Sequence, residues 1–148
     1  MRFRGRFEYT VDDKARVALP PRYRAAFEAG AVLLPGAEPC IQVYTQEGFD
    51  QRAAVIERLP FETAEGRLAR RAFWGSAFDV AKDAQGRILL PEKLLQHAGI
   101  RRGAEVVIVG VNECLEIWDR ERWEEQEAQQ WAAIPAVMER TAQRGEGG

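Results

Sequence analysis

Two aspartate–arginine pairs stand out among the residues able to do chemistry: Asp12 with Arg16, and Asp83 with Arg87. A guanidinium offers planar donors that fork onto phosphate oxygens, carboxylates or the O6/N7 edge of guanine. An aspartate four residues earlier, across a tight turn, can accept from that guanidinium and fix its direction. The same side chain can also close the turn. Basic residues surround both pairs: Arg2, Arg4, Arg6, Lys14, Arg22 and Arg24 near the first, Lys82 and Lys93 near the second. That setting favours an anion-binding surface. The plainer alternative is a pair of surface salt bridges, contributing at most ~1 kcal/mol and serving no further role.

Other chemistries find less support. Asp12-Asp13 has the carboxylates for metal or acid–base work, but no third carboxylate or histidine is repeated with it, and a turn pair is the better reading. His97 is the only histidine, which leaves no catalytic Cys–His or Ser–His–Asp set to build beyond it; a place on a helix surface or rim is expected. Cys40 and Cys114 lack nearby histidines and read as buried small hydrophobes, not as a zinc site or a disulfide. Phosphate loops and dinucleotide glycine motifs are missing. No enzyme, no metal and no cofactor are expected.

The elements that position the two pairs are themselves duplicated. Val11–Pro20 (VDDKARVALP) aligns without a gap on Lys82–Pro91 (KDAQGRILLP), 71 positions later. Each copy reads as two short strands joined by a tight polar turn and stopped where a proline opens a helix. Val17 and Leu19 share one face, which sends Arg16 and Ala18 to the other. Tyr23, Ala26 and Phe27 form the buried stripe of a short helix ended by Gly30. Strands are expected at Phe7–Val11, Ala31–Leu34, Cys40–Tyr44, Phe78–Val80, Arg87–Leu90 and Glu105–Val111. Thr45 caps one helix, and Pro60 breaks it. Thr63 caps another over Ala64–Phe73, and Pro91 and Gly99 bracket a third. Asp119 caps the last helix, with Trp123 and Trp131 inward and Pro135 interrupting it.

A second match, Cys40–Arg52 on Cys114–Gln126, extends the duplication over nearly the whole chain. The expected division is 1–60 for the first repeat with its trailing helix and 61–75 for a connecting helix. The second repeat then takes 76–135, and 136–148 forms a C-terminal tail. Each repeat is read as a βαβ-type unit, and such duplication suits one pseudo-symmetric site.

Composition agrees with a folded domain: 148 residues, 46% hydrophobic and 30% charged. No apolar run approaches a membrane helix and the first ten residues lack a signal-peptide core, so a cytoplasmic protein is expected. The net charge of −2 hides an asymmetry. Residues 1–24 carry seven basic against three acidic side chains, and residues 65–103 eight against four, whereas the chain from Ala104 onward carries four against ten. Where the charge lies matters more than its total.

The doubled Asp-x-x-x-Arg, in DDKAR and DAQGR, together with VVIVGVNECLEIWDRERW, resembles the MraZ family from about Phe3 to Trp123. The resemblance implies an α+β fold of two pseudo-symmetric AbrB-like, swapped-hairpin β-barrel repeats with flanking helices. It implies a bacterial transcriptional regulator, nucleoid-associated, that assembles into a homo-oligomeric ring. Its partner would be double-stranded promoter DNA, bound at short guanine-rich direct repeats upstream of the division and cell-wall genes, its own included. No membrane and no small-molecule substrate would be involved. By position, Arg16 and Arg87 would contact DNA with Asp12 and Asp83 as supports, while Arg2, Arg4, Lys14, Arg22, Lys82 and Lys93 would meet phosphates. One departure is Ala15, where similar sequences carry glycine, as at Gly86; a positive φ there would strain alanine. The alternative function is an oligomeric adapter or antitoxin-like partner binder, and a hydrolase built on the aspartate turns ranks behind both.

Overall fold

The computed structural model describes residues 2–147; Gly148, the last residue of the expected tail, lies outside them. Eight strands and four α-helices follow one another as β1 (Arg6–Thr10), β2 (Arg16–Ala18), β3 (Ala31–Pro35), β4 (Ile41–Tyr44), α1 (Gln46–Glu57), α2 (Ala64–Phe73), β5 (Phe78–Val80), β6 (Arg87–Leu89), α3 (Glu92–Ala98), β7 (Glu105–Gly110), β8 (Leu115–Asp119) and α4 (Arg120–Gly147), with a 3-10 helix at Pro21–Phe27 between β2 and β3. This is the expected α+β composition. No helix among the described residues is long and apolar enough to cross a membrane.

Six strands form an open antiparallel sheet in the order β1-β7-β8-β4-β3-β5, and β2 pairs with β6 in a separate two-stranded ladder. Here the structure corrects two expectations. The strands flanking each turn do not pair with each other: β1 pairs with β7, β5 with β3, and β2 with β6. Nor are the repeats βαβ units, because every ladder is antiparallel and β2 and β3 lie in different sheets. The physical reason is the length of the arms. A three-residue β2 has too little apolar surface to stabilise a hairpin alone, but against β6 it puts Val17 opposite Ile88, both about 1% exposed.

The alternation of side chains then defines three layers. Leu33, Ile41, Val43, Val106, Ile108, Leu115 and Ile117 lie on one sheet face, joined in a single core by Val17, Leu19 and Ile88, by Leu90, Leu94 and Leu95, and by Tyr23 and Phe27. The other face is covered in two places. Val32, Leu34 and Tyr44 pack with Phe49, Ala53 and Phe73 of α1 and α2, and Val107 and Trp118 pack with Trp123 of α4.

The helix signals read from the sequence hold for α1 and α2. Thr45 and Thr63 accept from the backbone N–H of Gly48 and Gly66 at 3.0 and 2.9 Å, satisfying donors that the first helical turn leaves free. The last helix departs from expectation. α4 runs through Pro135 without a break, and Trp131 is 67% exposed, not inward. A proline inside a helix removes one N–H donor, leaving the carbonyl four residues earlier unbonded. On a helix exposed on all sides, water accepts that role. Residues 136–147 of the segment expected as a separate tail therefore continue α4.

Candidate nucleic-acid interface

The two turns repeat each other atom for atom. In the first, Asp12 Oδ1 accepts from the backbone N–H groups of Lys14 (3.0 Å) and Arg16 (2.8 Å), while Oδ2 accepts from Arg16 Nε at 2.8 Å. In the second, Asp83 Oδ1 accepts from the N–H groups of Gln85 (2.9 Å) and Arg87 (2.8 Å), and Oδ2 accepts from Arg87 Nε at 2.9 Å. Backbone bonds close both: Ala15 N–H donates to Asp12 O at 3.1 Å, and Gly86 N–H to Asp83 O at 3.0 Å. The carboxylate thus orders its turn and its arginine at once. The Arg16 and Arg87 backbone N–H bonds, followed by their guanidinium bonds, hold Asp12 and Asp83 below the usual carboxylate range.

The fourth residue of each turn needs a left-handed backbone. Gly86 has φ +77° and Ala15 has φ +61°. Alanine adopts the strained conformation, and the first turn keeps the hydrogen-bond pattern of the second. Its methyl is buried in the same core as Leu95, and that contact offsets part of the conformational cost.

Pairing of β2 with β6 brings the motifs together. Arg16 lies opposite Leu89 and Ala18 opposite Arg87. Val17 and Ile88 point into the core, so Arg16, Ala18, Arg87 and Leu89 share the outer face. The arginines sit diagonally across it. Arg87 Nη1 also lies 3.8 Å from Asp12 Oδ2, linking the turns directly. Nε of each arginine is held by its aspartate, while the terminal nitrogens make no hydrogen bond among the described residues, Arg87 Nη1 reaching only ion-pair distance of Asp12. The surface therefore offers two pre-oriented guanidinium groups on an antiparallel ribbon.

The remaining basic residues disperse around it. Lys14 is exposed at the first turn, and its counterpart in the repeat is Gln85. Arg22 and Lys93 occupy equivalent exposed positions just beyond Pro20 and Pro91. Lys82 pairs with Glu28 at 2.5 Å and is largely covered. Arg2 and Arg4 precede β1, at its end away from Asp12, where Arg2 lines a depression with Thr45, Gln51 and Asn112. The sequence pattern leaves two residues of this surface unmarked. Leu89 is 53% exposed between the arginines, a position that strand alternation with Arg87 already implies. Arg24, which in the sequence is only part of the basic surroundings, lies against Gly86.

The rest of the chemistry-bearing set is structural. Cys40 and Cys114 are buried, as expected, and burial pushes the Cys114 thiol up to about 12. His97 sits at the rim of α3, with Nε2 2.9 Å from Gly36 O.

A doubled carboxylate–arginine turn displayed on a ribbon made jointly by two repeats defines a class of duplicated, pseudo-symmetric α+β proteins. Comparison with known proteins resolves the class further. The family model described as "MraZ protein, putative antitoxin-like" matches twice, over residues 2–72 and 73–145. The chain is 37% identical over 140 residues to the transcriptional regulator MraZ of Thermomicrobium roseum, spanning 95% of this chain and 97% of that protein. It is 39% identical over 142 residues to that of Dehalococcoides mccartyi (93% and 99%), and 40% identical over 123 residues to that of Moorella thermoacetica (83% and 85%). The chain belongs to the MraZ family.

Proposed function

We propose that the protein is a transcriptional regulator that binds double-stranded promoter DNA sequence-specifically through Arg16 and Arg87. The observation that carries this reading is the pair of aspartate-held guanidinium groups on the outer face of the β2–β6 ribbon. A two-stranded ribbon has the width the major groove admits, and arginine forking onto guanine O6/N7 is the commonest specific base contact. Diagonal positions on paired strands lie roughly 7–8 Å apart, about two base-pair rises of ~3.4 Å. Guanine-rich direct repeats upstream of division and cell-wall genes are the targets that fit. Lys14, Arg22 and Lys93 flank the face as phosphate contacts, with Arg2, Arg4 and Lys82 more peripheral. Such a regulator works in the cytoplasm, at the nucleoid, and carries out no catalysis.

The exchange of strands between repeats is the swapped-hairpin arrangement of AbrB-type units, on this reading. A ring-shaped homo-oligomer completes it. One ribbon binds weakly, and several held at the spacing of successive DNA repeats gain by effective concentration. Two separate apolar surfaces suit the head-to-tail contacts a ring needs: Phe61 and Leu68 beside α1 and on α2, and Trp131 and Met138 on α4, each more than 60% exposed.

The test is fluorescence-anisotropy binding of wild type, Arg16→Ala, Arg87→Ala and the double mutant to the protein's own promoter DNA and to scrambled DNA, at two salt concentrations. Circular dichroism checks the fold. Each single substitution should weaken specific binding by about 1–3 kcal/mol, and the double mutant should not distinguish the two DNAs. Equal, weak binding of both DNAs by wild type, unchanged in the double mutant, overturns the reading.

A further inference from the structure

We propose that Arg24 is a phosphate-contacting residue that belongs to the second turn alone, so that the two turns engage DNA by different means. This rests on the DNA-binding reading above. Arg24 Nε donates to Leu19 O at 2.9 Å, while the N–H of the same Leu19 donates to Gly86 O at 2.8 Å. One residue therefore ties the arginine to the turn. The side chain then lies flat on Gly86: a methyl built there would meet Arg24 Cδ at 2.6 Å and Cζ at 2.9 Å, overlapping Nε as well. Glycine at 86 is favoured twice, by its φ of +77° and by this contact.

Arg24 Nε is thereby held by a backbone carbonyl, and among the described residues no carboxylate pairs with its guanidinium. That distinguishes it from Arg6, Arg102 and Arg120, which are each neutralised by glutamates. A half-buried cation kept in one orientation loses little side-chain freedom when it meets an oxyanion, and its two terminal nitrogens match the geometry of a phosphate. Through its contact with Gly86, the residue before Arg87, it borders the second turn, and on this proposal its terminal nitrogens meet the DNA backbone there.

The first turn has no such group. The residue equivalent to Arg24, 71 positions on, is Leu95, which is 2% exposed and belongs to the core that includes Ala15. There the extra cation is Lys14, on the turn itself, where the second turn has Gln85. Each turn carries one positive charge besides its reading arginine: an exposed lysine at the first, a backbone-held arginine at the second.

The full-length protein tests this through the salt dependence of its binding to its own promoter DNA. Removing one phosphate-neutralising cation lowers the slope of log K against log salt by about 0.9 per bound copy. Arg24→Gln should lower it by that amount, Lys14→Gln by the same amount, and the double substitution by twice as much. Arg24→Lys should keep the slope. Arg24→Leu, which copies the residue of the other repeat, should fold with an unaltered circular dichroism spectrum and reproduce the Arg24→Gln slope. A wild-type slope in Arg24→Gln or Arg24→Leu, with specific binding still weakened in Arg87→Ala, makes Arg24 a prop for the turn and overturns the inference alone. Specific binding that survives Arg16→Ala and Arg87→Ala fails the underlying reading instead.

Discussion

The two repeats reach the same turn by different supports and then end in different ways. At residue 15 the chain accepts an alanine in left-handed conformation, roofed by an apolar core, whereas at residue 86 it needs glycine because an arginine lies across it. Beyond the sheet the contrast grows. Pro60 ends α1, and α2 returns against it with Phe73 stacked on Phe49 at a centroid distance of 4.7 Å. One residue past the equivalent place in the second repeat, Pro135 is absorbed and α4 continues outward with no covering partner among the described residues. Duplication has preserved the hydrogen bonds that orient the arginines and relaxed what lies around them. The first repeat closes its own helical layer; the second leaves its layer open.

That contrast can be broken most severely at the closed end. Phe73→Ala removes the ring that joins α2 to α1 and should cost about 3 kcal/mol, read as a lower urea midpoint at unchanged slope. Gly86→Ala combines left-handed strand-to-turn strain with displacement of Arg24 and should cost about 2 kcal/mol. Ala15→Gly should stay within about 1 kcal/mol of wild type, since relief of strain is set against a missing methyl and a more flexible unfolded chain. A reversed order for these two would mean that the turns are supported alike.

The aspartates separate the turns in binding, because Asp12 meets both arginines and Asp83 only its own. Asp12→Ala should weaken specific DNA binding more than Asp83→Ala in the same anisotropy assay. Both carboxyls are held below their ordinary value of 3.8, so their contribution to stability is fully present above that pH and is lost as pH falls through their lowered values. Carboxyl resonances followed by NMR should show both titrating below 3.8, with no change between pH 5 and 7. The smallest effect is expected at the open end. Trp131→Ala should change the protomer's stability by no more than about 0.5 kcal/mol, while shifting sedimentation toward smaller species.

Much of this was legible in the sequence for local reasons. Thr63 and the helix from Ala64 to Phe73 were readable because a capping hydroxyl and helical periodicity act over a few residues. The face shared by Arg16 and Ala18 followed from alternation alone. What escaped depends on partners distant in the chain. Nothing in the pattern of β1 or β2 says that it pairs with β7 or β6 and not with its neighbour across the turn. Trp131 carries the same apolar signal as Trp123, eight residues earlier, and only the sheet's extent decides that one is covered and the other not. Arg24 is one arginine among many until Gly86 is seen beneath it.

The exchanged strands also set the order in which the chain can fold as it is made. Arg6 of β1 waits for Val109 of β7, 103 residues later, and Arg16 waits for Leu89. At ~5–20 residues per second, the first strand emerges from a ribosome roughly 5–20 s before its partner exists. For that interval the nascent first half carries β1 and β2 with unpaired edges, β3 without β5, and an arginine turn with nothing opposite it. Neither repeat is a finished object on its own, and the arginine-bearing ribbon is completed only once most of the second half has emerged.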